Sequence, residues 1–439
     1  MTHDLTRAET VAAPASTAPQ QPPRARIIGL DGVRGLLCLC IAVTHVTAHY
    51  SPATAAVWKT NVFGFSLVYF FVLSGFLLSL PFIRNLVKER SSSAMPNVSD
   101  YTVHRLARIM PAYLIIFLIV NFVLQVAYVQ NPAAQPPGTD DGTGMITDPG
   151  QLLANLTLTQ SYFPAYVQTG INPSWSLSLE YAFYASLPLL FLGVFAIRKR
   201  VNVNPLVLAT IVPGVLLAIG LVGRAFIPLV FSRMDTTDFM LLNWGPNWAA
   251  VFTKSFLTNA DNFALGMLAA IVFVAIERGA LPEKLSRRVR VLSAAAILPA
   301  LFVSAVLLVF ASQFVTAGVG VVAALMVLVI VAPLARHQKS RLATALDFRP
   351  IRFVGEISLS AYLWHFPVLL MLGRFGWMAG DTLPGMLQNT VVALAVTILL
   401  GAITYYVIEK PAMNYAKRVR AKKKVAAPQS AATASVASG

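Results

Sequence analysis

Ten blocks of about 20 mostly apolar residues divide the 439-residue chain. A helix of this length spans the hydrocarbon core of a bilayer. Lipid offers no partner for peptide groups, so each block must be a helix or part of a closed barrel, and the continuous apolar runs lack the alternation of a barrel. The sequence therefore predicts an all-α, polytopic transmembrane bundle of about ten spans. The predicted spans are 31–50, 62–83, 109–129, 176–197, 205–224, 257–276, 291–311, 314–334, 353–373 and 386–408.

Two polar tails flank this membrane domain. Residues 1–26 are rich in Ala, Pro, Gln and Thr and contain no apolar stretch of the kind a signal peptide needs. We expect them to form a disordered N-terminal tail. The membrane domain is expected at 27–415, and 416–439 are expected to form a basic, disordered C-terminal tail.

The distribution of basic residues predicts how the chain is oriented. Lys and Arg number 34 against 18 Asp and Glu, which gives a net charge of +16. Most of them fall in the two tails and in the loops that follow even-numbered spans. By the positive-inside rule both termini then lie in the cytosol, and the chain is a multi-pass protein of the inner (plasma) membrane. This rule explains the positive charge without a nucleic-acid partner.

The first predicted span contains two ionisable residues, Arg34 and His45, eleven positions apart. At about 100° per residue they share one face of a helix and are separated by ~16 Å along its axis. Ionisable groups in a span are costly and are candidates for function. Arg34 could meet an anion or a carbonyl, and His45 could handle a proton. In the structural alternative, Arg34 pairs with Asp31 and His45 bonds a neighbouring helix.

An acidic residue, Glu180, lies at the predicted outer start of the fourth span. Its carboxylate could orient an imidazole or accept its proton. Alternatively, it is an interfacial residue that the positive end of a helix dipole stabilises. The residues alone leave both interpretations open.

The ninth predicted span carries a polar stripe formed by Ser358, Tyr362 and His365, at positions i, i+4 and i+7. Such a stripe could line a cavity filled by water or substrate, or it could hydrogen-bond to neighbouring helices.

Arg105 and Arg108 precede the third predicted span at the cytosolic surface. They could hold phosphate groups through bidentate contacts, or they could be ordinary positive-inside residues. The chain has only two cysteines, Cys38 and Cys40, which point to different faces of one helix and cannot pair. No metal-ligand spacing of His or Cys occurs, so we expect no metal site.

Taken together, these segments resemble the acyltransferase-3 family of bacterial membrane acyltransferases over about residues 27–415. Each short motif is weak, but seven in the family's order form a specific signal. The matching segments are Leu30 to Gly35 leading to His45, Phe70 to Phe76, Arg105 to Ile109 with Pro111 and Tyr113, Trp175 to Glu180 with Phe183 and Tyr184, Phe263 to Met267, Ile357 to His365, and Glu409 to Pro411. One departure is Tyr181, which follows Glu180 where a second acid is common in the family.

The resemblance implies an O-acyltransferase with acyl-CoA, usually acetyl-CoA, as co-substrate and no permanently bound cofactor. The acceptor would be a hydroxyl of an extracytoplasmic glycan or glycolipid of the cell envelope. The family's essential arginine and histidine fall on Arg34 and His45, and its cytosolic arginine pair on Arg105 and Arg108. We further expect Ser74, Tyr184, Ser358, Tyr362 and His365 to line the path of the substrates.

These residues predict a mechanism in which His45 acts as general base or as nucleophile, with Glu180 holding the tautomer of its ring. The main alternative is a lipid or glycolipid transporter or flippase, in which the polar residues form a path and no acyl group is transferred. A purely structural membrane scaffold would leave Arg34, His45 and His365 unexplained in lipid.

Overall fold

A bundle of membrane helices forms the protein in the computed structural model, which describes residues 26–136 and 138–420. In these residues nine helices are long and apolar enough to cross a membrane, and a tenth span results if two helices joined by a 75° bend count as one. The predicted class and number of spans are thereby confirmed. The spans are α1 Leu30–Tyr50, α2 Thr60–Leu86, α3 Val98–Val123, α4 Asn172–Arg200, α5 Pro205–Phe231, α6 Ala260–Glu277, α7 Glu283–Phe310, α8 Ser312–Ala335, α9 Arg349–Glu356 with Ser358–Arg374, and α10 Leu383–Arg420.

We call the side that holds the start of α1 the inner side and the opposite side the outer side. The predicted tails fall largely on residues 1–25 and 421–439, which lie outside the described residues. The helix α10 continues to Arg420 and so extends into the predicted C-terminal tail.

The bend divides α9, for which the sequence predicted one straight span over 353–373. The first piece, Arg349–Glu356, carries charged residues that are costly in hydrocarbon, so a path along the polar surface is favoured. It packs at backbone distance on the start of α1, because a Cβ atom at Gly355 would lie 1.8 Å from the carbonyl oxygen of Asp31. The second piece, Ser358–Arg374, enters the bundle, and 13 of its 17 residues are buried.

Glycines bring the backbones of α2 and α6 together. A Cβ atom at Gly75 would lie 2.1 Å from the carbonyl oxygen of Phe263, and one at Gly266 would lie 1.9 Å from that of Val72. Small residues permit such close helix packing in membranes. This contact fixes the part of α2 that carries the neighbouring Ser74.

A structured loop covers the outer end of α4. Its antiparallel strands are β1 Ala127–Tyr128 and β2 Thr143–Gly144. The loop also contains the helix Pro149–Leu156 and a separate 3-10 turn, Gln160–Tyr162. Beneath this loop, Ser174 and Trp175 are buried at the start of the regular helix of α4. Other short helices are Pro52–Trp58, Phe239–Trp244, Trp248–Thr253 and Arg341–Leu346.

Two large apolar clusters form the interior. One is built mainly from α2, α4, α5, α6 and α8, and includes Phe71. The other includes Ile109 and Leu177 and joins α3, the outer loop and the buried part of α9. Residues of both clusters line one pocket, so the candidate site lies where the two cores meet.

Candidate active site

One pocket gathers side chains from α1, α2, α3, α4 and α9. Its empty volume, with the open mouth included, is about 740 Å³. Eight of the ten site residues predicted from the sequence line it. They are Arg34, Ser74, Arg105, Arg108, Glu180, Tyr184, Ser358 and Tyr362. The remaining two, His45 and His365, do not line this pocket and contact each other instead.

Three guanidinium groups make the pocket strongly positive. Arg34 lies 3.3 Å from Asp31, so the structural alternative for this residue is present together with its position in the pocket. Arg105 and Arg108 form none of the hydrogen bonds or ion pairs found between side chains of the described residues, and the buried Nε of Arg105 has no partner. Unpaired guanidinium groups in a half-buried pocket are suited to an anionic ligand.

The helix that carries the arginine pair begins earlier than the predicted third span. The sequence placed Arg105 and Arg108 before the third span at the surface, but α3 already begins at Val98, where Asn97 caps it by accepting a hydrogen bond from the backbone N–H of Asp100. The span also ends earlier than the predicted residue 129, because Gln125 adopts a left-handed conformation and the chain enters β1. The earlier start turns both arginines into the bundle.

Glu180 takes a different place from the one expected. Its carboxylate accepts hydrogen bonds from the hydroxyl of Ser74 at 2.8 Å and from that of Tyr184 at 2.7 Å. Among the described residues no hydrogen bond joins it to His45, so the predicted orientation of His45 by Glu180 is wrong in this structure. The reason is that the loop above buries the start of α4, which carries Glu180 into the pocket with the arginines.

Tyr362 joins α9 to the start of α4. Its hydroxyl lies 2.7 Å from that of Ser176 and donates to the carbonyl oxygen of Pro173 at 2.8 Å. Ser176 was not among the predicted site residues, although it lies within the matching segment Trp175 to Glu180.

The two histidines lie one helical turn beyond Tyr362 towards the outer side. The Nδ1 atom of His45 lies 2.8 Å from Nε2 of His365, and the ring centroids are 5.0 Å apart with the ring planes 12° apart, so the rings meet edge to edge in nearly one plane. His365 is 1% exposed, and its Nδ1 contacts the carbonyl oxygen of Tyr362. The structural alternative, in which His45 bonds a neighbouring helix, is therefore also present. The sequence had singled out both residues but not their contact.

Comparison with known proteins defines the class. The family model described as an acyltransferase domain, acyltransferase-3, matches residues 27–407. The chain therefore belongs to this family, and the protein is a multi-pass membrane O-acyltransferase. As an enzyme of this class it transfers acyl groups other than aminoacyl groups, so the transporter and scaffold alternatives are set aside.

Two relatives illustrate the range of the family. The chain is similar to the acyltransferase MdmB of Streptomyces mycarofaciens, with 27% identity over 421 residues, which are 91% of this chain and 95% of MdmB. It is also similar to the O-acetyltransferase OatA of Staphylococcus aureus (strain NCTC 8325 / PS 47), with 23% identity over 392 residues, which are 87% of this chain. The match spans only 56% of OatA, about half of that protein. No solved structure matches the chain.

Proposed function

We propose that the protein takes an acyl group, most simply acetyl, from cytosolic acyl-CoA. It transfers the group to a hydroxyl of a carbohydrate or glycolipid on the outer side of the plasma membrane. The observation that carries the proposal is the pair Arg105 and Arg108, which have no hydrogen-bond or ion-pair partner among the described residues, in one pocket with an imidazole pair one helical turn beyond it. The relative named as an O-acetyltransferase supports the choice of acetyl.

In this proposal the arginines hold the donor. Coenzyme A carries several phosphates, and arginine binds phosphate through planar, bidentate contacts. Arg105 and Arg108 bind these phosphates, and Arg34 contacts the donor farther along. The inner side of the bundle is then the cytosolic side, in accordance with the distribution of basic residues.

His45 performs the chemistry at the outer end of this path. A thioester is already activated, so the protein has to supply position, a base and exclusion of water. His45 removes the proton of the acceptor hydroxyl as its oxygen bonds to the acyl carbon and the carbon–sulfur bond breaks. In the covalent variant of the mechanism, the ring of His45 is itself acylated first.

The test uses sealed membrane vesicles that contain the enzyme, radiolabelled acetyl-CoA and an extract of envelope glycans and glycolipids. We expect label in the extract and release of free CoA only when acetyl-CoA is supplied on the inner side. A His45→Ala variant should lose both signals, whereas His104→Ala, which changes a histidine outside the pocket, should keep them. Full transfer by His45→Ala would contradict the proposal, and transfer from the outer side would contradict its direction.

A further inference from the structure

The hydrogen bonds of His365 define which of its nitrogens carries the proton. Its Nδ1 faces the carbonyl oxygen of Tyr362, which can only accept a hydrogen bond. Nδ1 must therefore be the N–H group. The ring is almost fully buried, and no carboxylate of the described residues bonds to it, so a neutral ring is favoured. In a neutral ring the second nitrogen, Nε2, is then an acceptor.

The contact with His365 also defines which nitrogen of His45 carries the proton. Its Nδ1 lies 2.8 Å from the accepting Nε2 of His365 and must donate to it. Because Nδ1 of the neutral ring holds the proton, Nε2 of His45 has a free lone pair. The hydrogen bond between the two rings, whose planes are 12° apart, and the edge contact with Phe366 fix the direction of that lone pair.

We propose that His365 is a positioning residue that fixes both the tautomer and the orientation of His45, leaving Nε2 of His45 as the atom that accepts the proton. The inference rests on the proposed acyl transfer, and it assigns to a neutral histidine the part that the sequence had given to Glu180. Two hydrogen bonds in series connect the Tyr362 carbonyl oxygen to His365 and His365 to His45.

The hydrogen bond between His45 and His365 becomes stronger during the proposed reaction. When the acceptor oxygen bonds to the acyl carbon, its proton passes to Nε2 of His45, and from there to the sulfur of the departing CoA thiolate. While His45 holds the extra proton, its Nδ1–H donates a charge-assisted hydrogen bond to His365, which is stronger than the bond between neutral rings. The stabilisation therefore appears during the reaction and affects kcat more than substrate binding.

A purely structural role for His365 predicts that its replacement lowers the stability of the protein and leaves kcat unchanged. Hydrogen bonds between membrane helices contribute about 0.6 kcal/mol on average, and their loss alters stability rather than turnover. The chain offers a matched control for this case, because Trp364 on the same helix donates a hydrogen bond of 2.9 Å to the hydroxyl of Thr404 on α10. Thr404→Val removes that bond without touching the imidazoles.

The experiment compares His365→Met, His365→Gln and Thr404→Val in the vesicle assay, with folding followed by the elution profile of the detergent-solubilised protein. We expect His365→Met to lower kcat by on the order of 100-fold, with KM for acetyl-CoA within about twofold of wild type. His365→Gln, whose amide oxygen can accept from Nδ1 of His45, should recover at least about tenfold of that loss. Thr404→Val should keep kcat near the wild-type value.

The possible contrary results distinguish a failure of the positioning role from a failure of the proposed function. If His365→Met turns over as fast as Thr404→Val, or if His365→Gln is as slow as His365→Met, the positioning role is wrong while the proposed function stands. If the wild-type protein transfers no acetyl group, or if His45→Ala is fully active, the proposed function itself fails.

Discussion

At the inner part of the pocket, Arg105 and Arg108 hold two positive charges that form no direct ion pair with a carboxylate of the described residues, although Glu180 lines the same pocket. Arg105 stacks only on the ring of Tyr101, with its guanidinium carbon 5.9 Å from the ring centre. Such groups are retained at a cost, since a charge withdrawn from water loses hydration. A phosphate-bearing donor would offset that cost.

We expect replacement of either arginine by alanine to weaken donor binding. A hydrogen bond to a charged group contributes about 1.5–3 kcal/mol, so KM for acetyl-CoA should rise about 10- to 100-fold for Arg105→Ala or Arg108→Ala. Initial rates at varied acetyl-CoA concentration give this value. Arg418→Ala, which removes an exposed arginine near the same membrane surface, is the control and should leave KM unchanged.

The sequence singled out Arg34 and His45 because ionisable residues within an apolar segment are costly, whereas Arg105 and Arg108 received a role only from the family resemblance. The same reasoning could not find the contact between His45 and His365, since 320 positions separate them and no local pattern encodes the pairing. It also misplaced Glu180 relative to His45. Glu180 lies near the start of α4, which the outer loop with β1 and β2 covers. The path of that loop follows from tertiary packing rather than from the periodicity of the sequence.

Between helices, the contact of α2 with α6 depends on the absence of side chains at Gly75 and Gly266. Gly75→Ala forces a methyl group against the carbonyl oxygen of Phe263, and overpacking of this kind costs about 1–3 kcal/mol. The shift should also separate Ser74 from Glu180.

We therefore expect Gly75→Ala to lower both the melting temperature and the transfer activity. Gly193→Ala is the matched control, because a Cβ atom at Gly193 in α4 meets nothing within 4 Å. Thermal unfolding of the detergent-solubilised variants, followed by tryptophan fluorescence, makes the comparison. Equal melting temperatures for the two variants would mean that the α2–α6 contact tolerates a side chain.

A buried ion pair joins α5 to α6. Arg224 donates two hydrogen bonds, of 3.0 and 3.1 Å, to the carboxylate of Asp261, which is fully buried. Removing one partner strands a buried charge and typically costs about 3–5 kcal/mol, whereas replacing both by apolar residues is often neutral. Asp261→Ala should therefore unfold at a markedly lower temperature than wild type, and Arg224→Met combined with Asp261→Leu should recover most of the loss. A double variant as unstable as Asp261→Ala would show that the ion pair itself is required.

For the molecule as a whole, the helical class and the count of spans follow directly from lengths of apolar sequence, and the structure agrees with them. The bend in α9 was not predicted, because a hydropathy window averages over the charged residues at 349–356 and the apolar residues that follow. Orientation is a separate property, which the distribution of Lys and Arg predicts through the positive-inside rule.

Single cysteines can test that orientation. In a Cys38→Ala/Cys40→Ala background, which removes both native cysteines, we expect a membrane-impermeant thiol reagent to label Thr237→Cys on intact cells but not Arg418→Cys. Both positions are exposed, the first in the loop between α5 and α6 and the second near the end of α10. After cells are opened, both variants should react. The reverse pattern on intact cells would invert the assignment of inner and outer sides.

The long separation of His45 and His365 along the chain has a consequence for biosynthesis. Helices α1 to α4, which carry every arginine of the pocket, leave the ribosome early, but the partner of His45 is synthesised only with α9. A nascent or truncated chain without α9 therefore lacks Ser358 and Tyr362 of the pocket as well as the second imidazole. If the proposed roles of the two histidines hold, the complete site forms only after α9 has been synthesised.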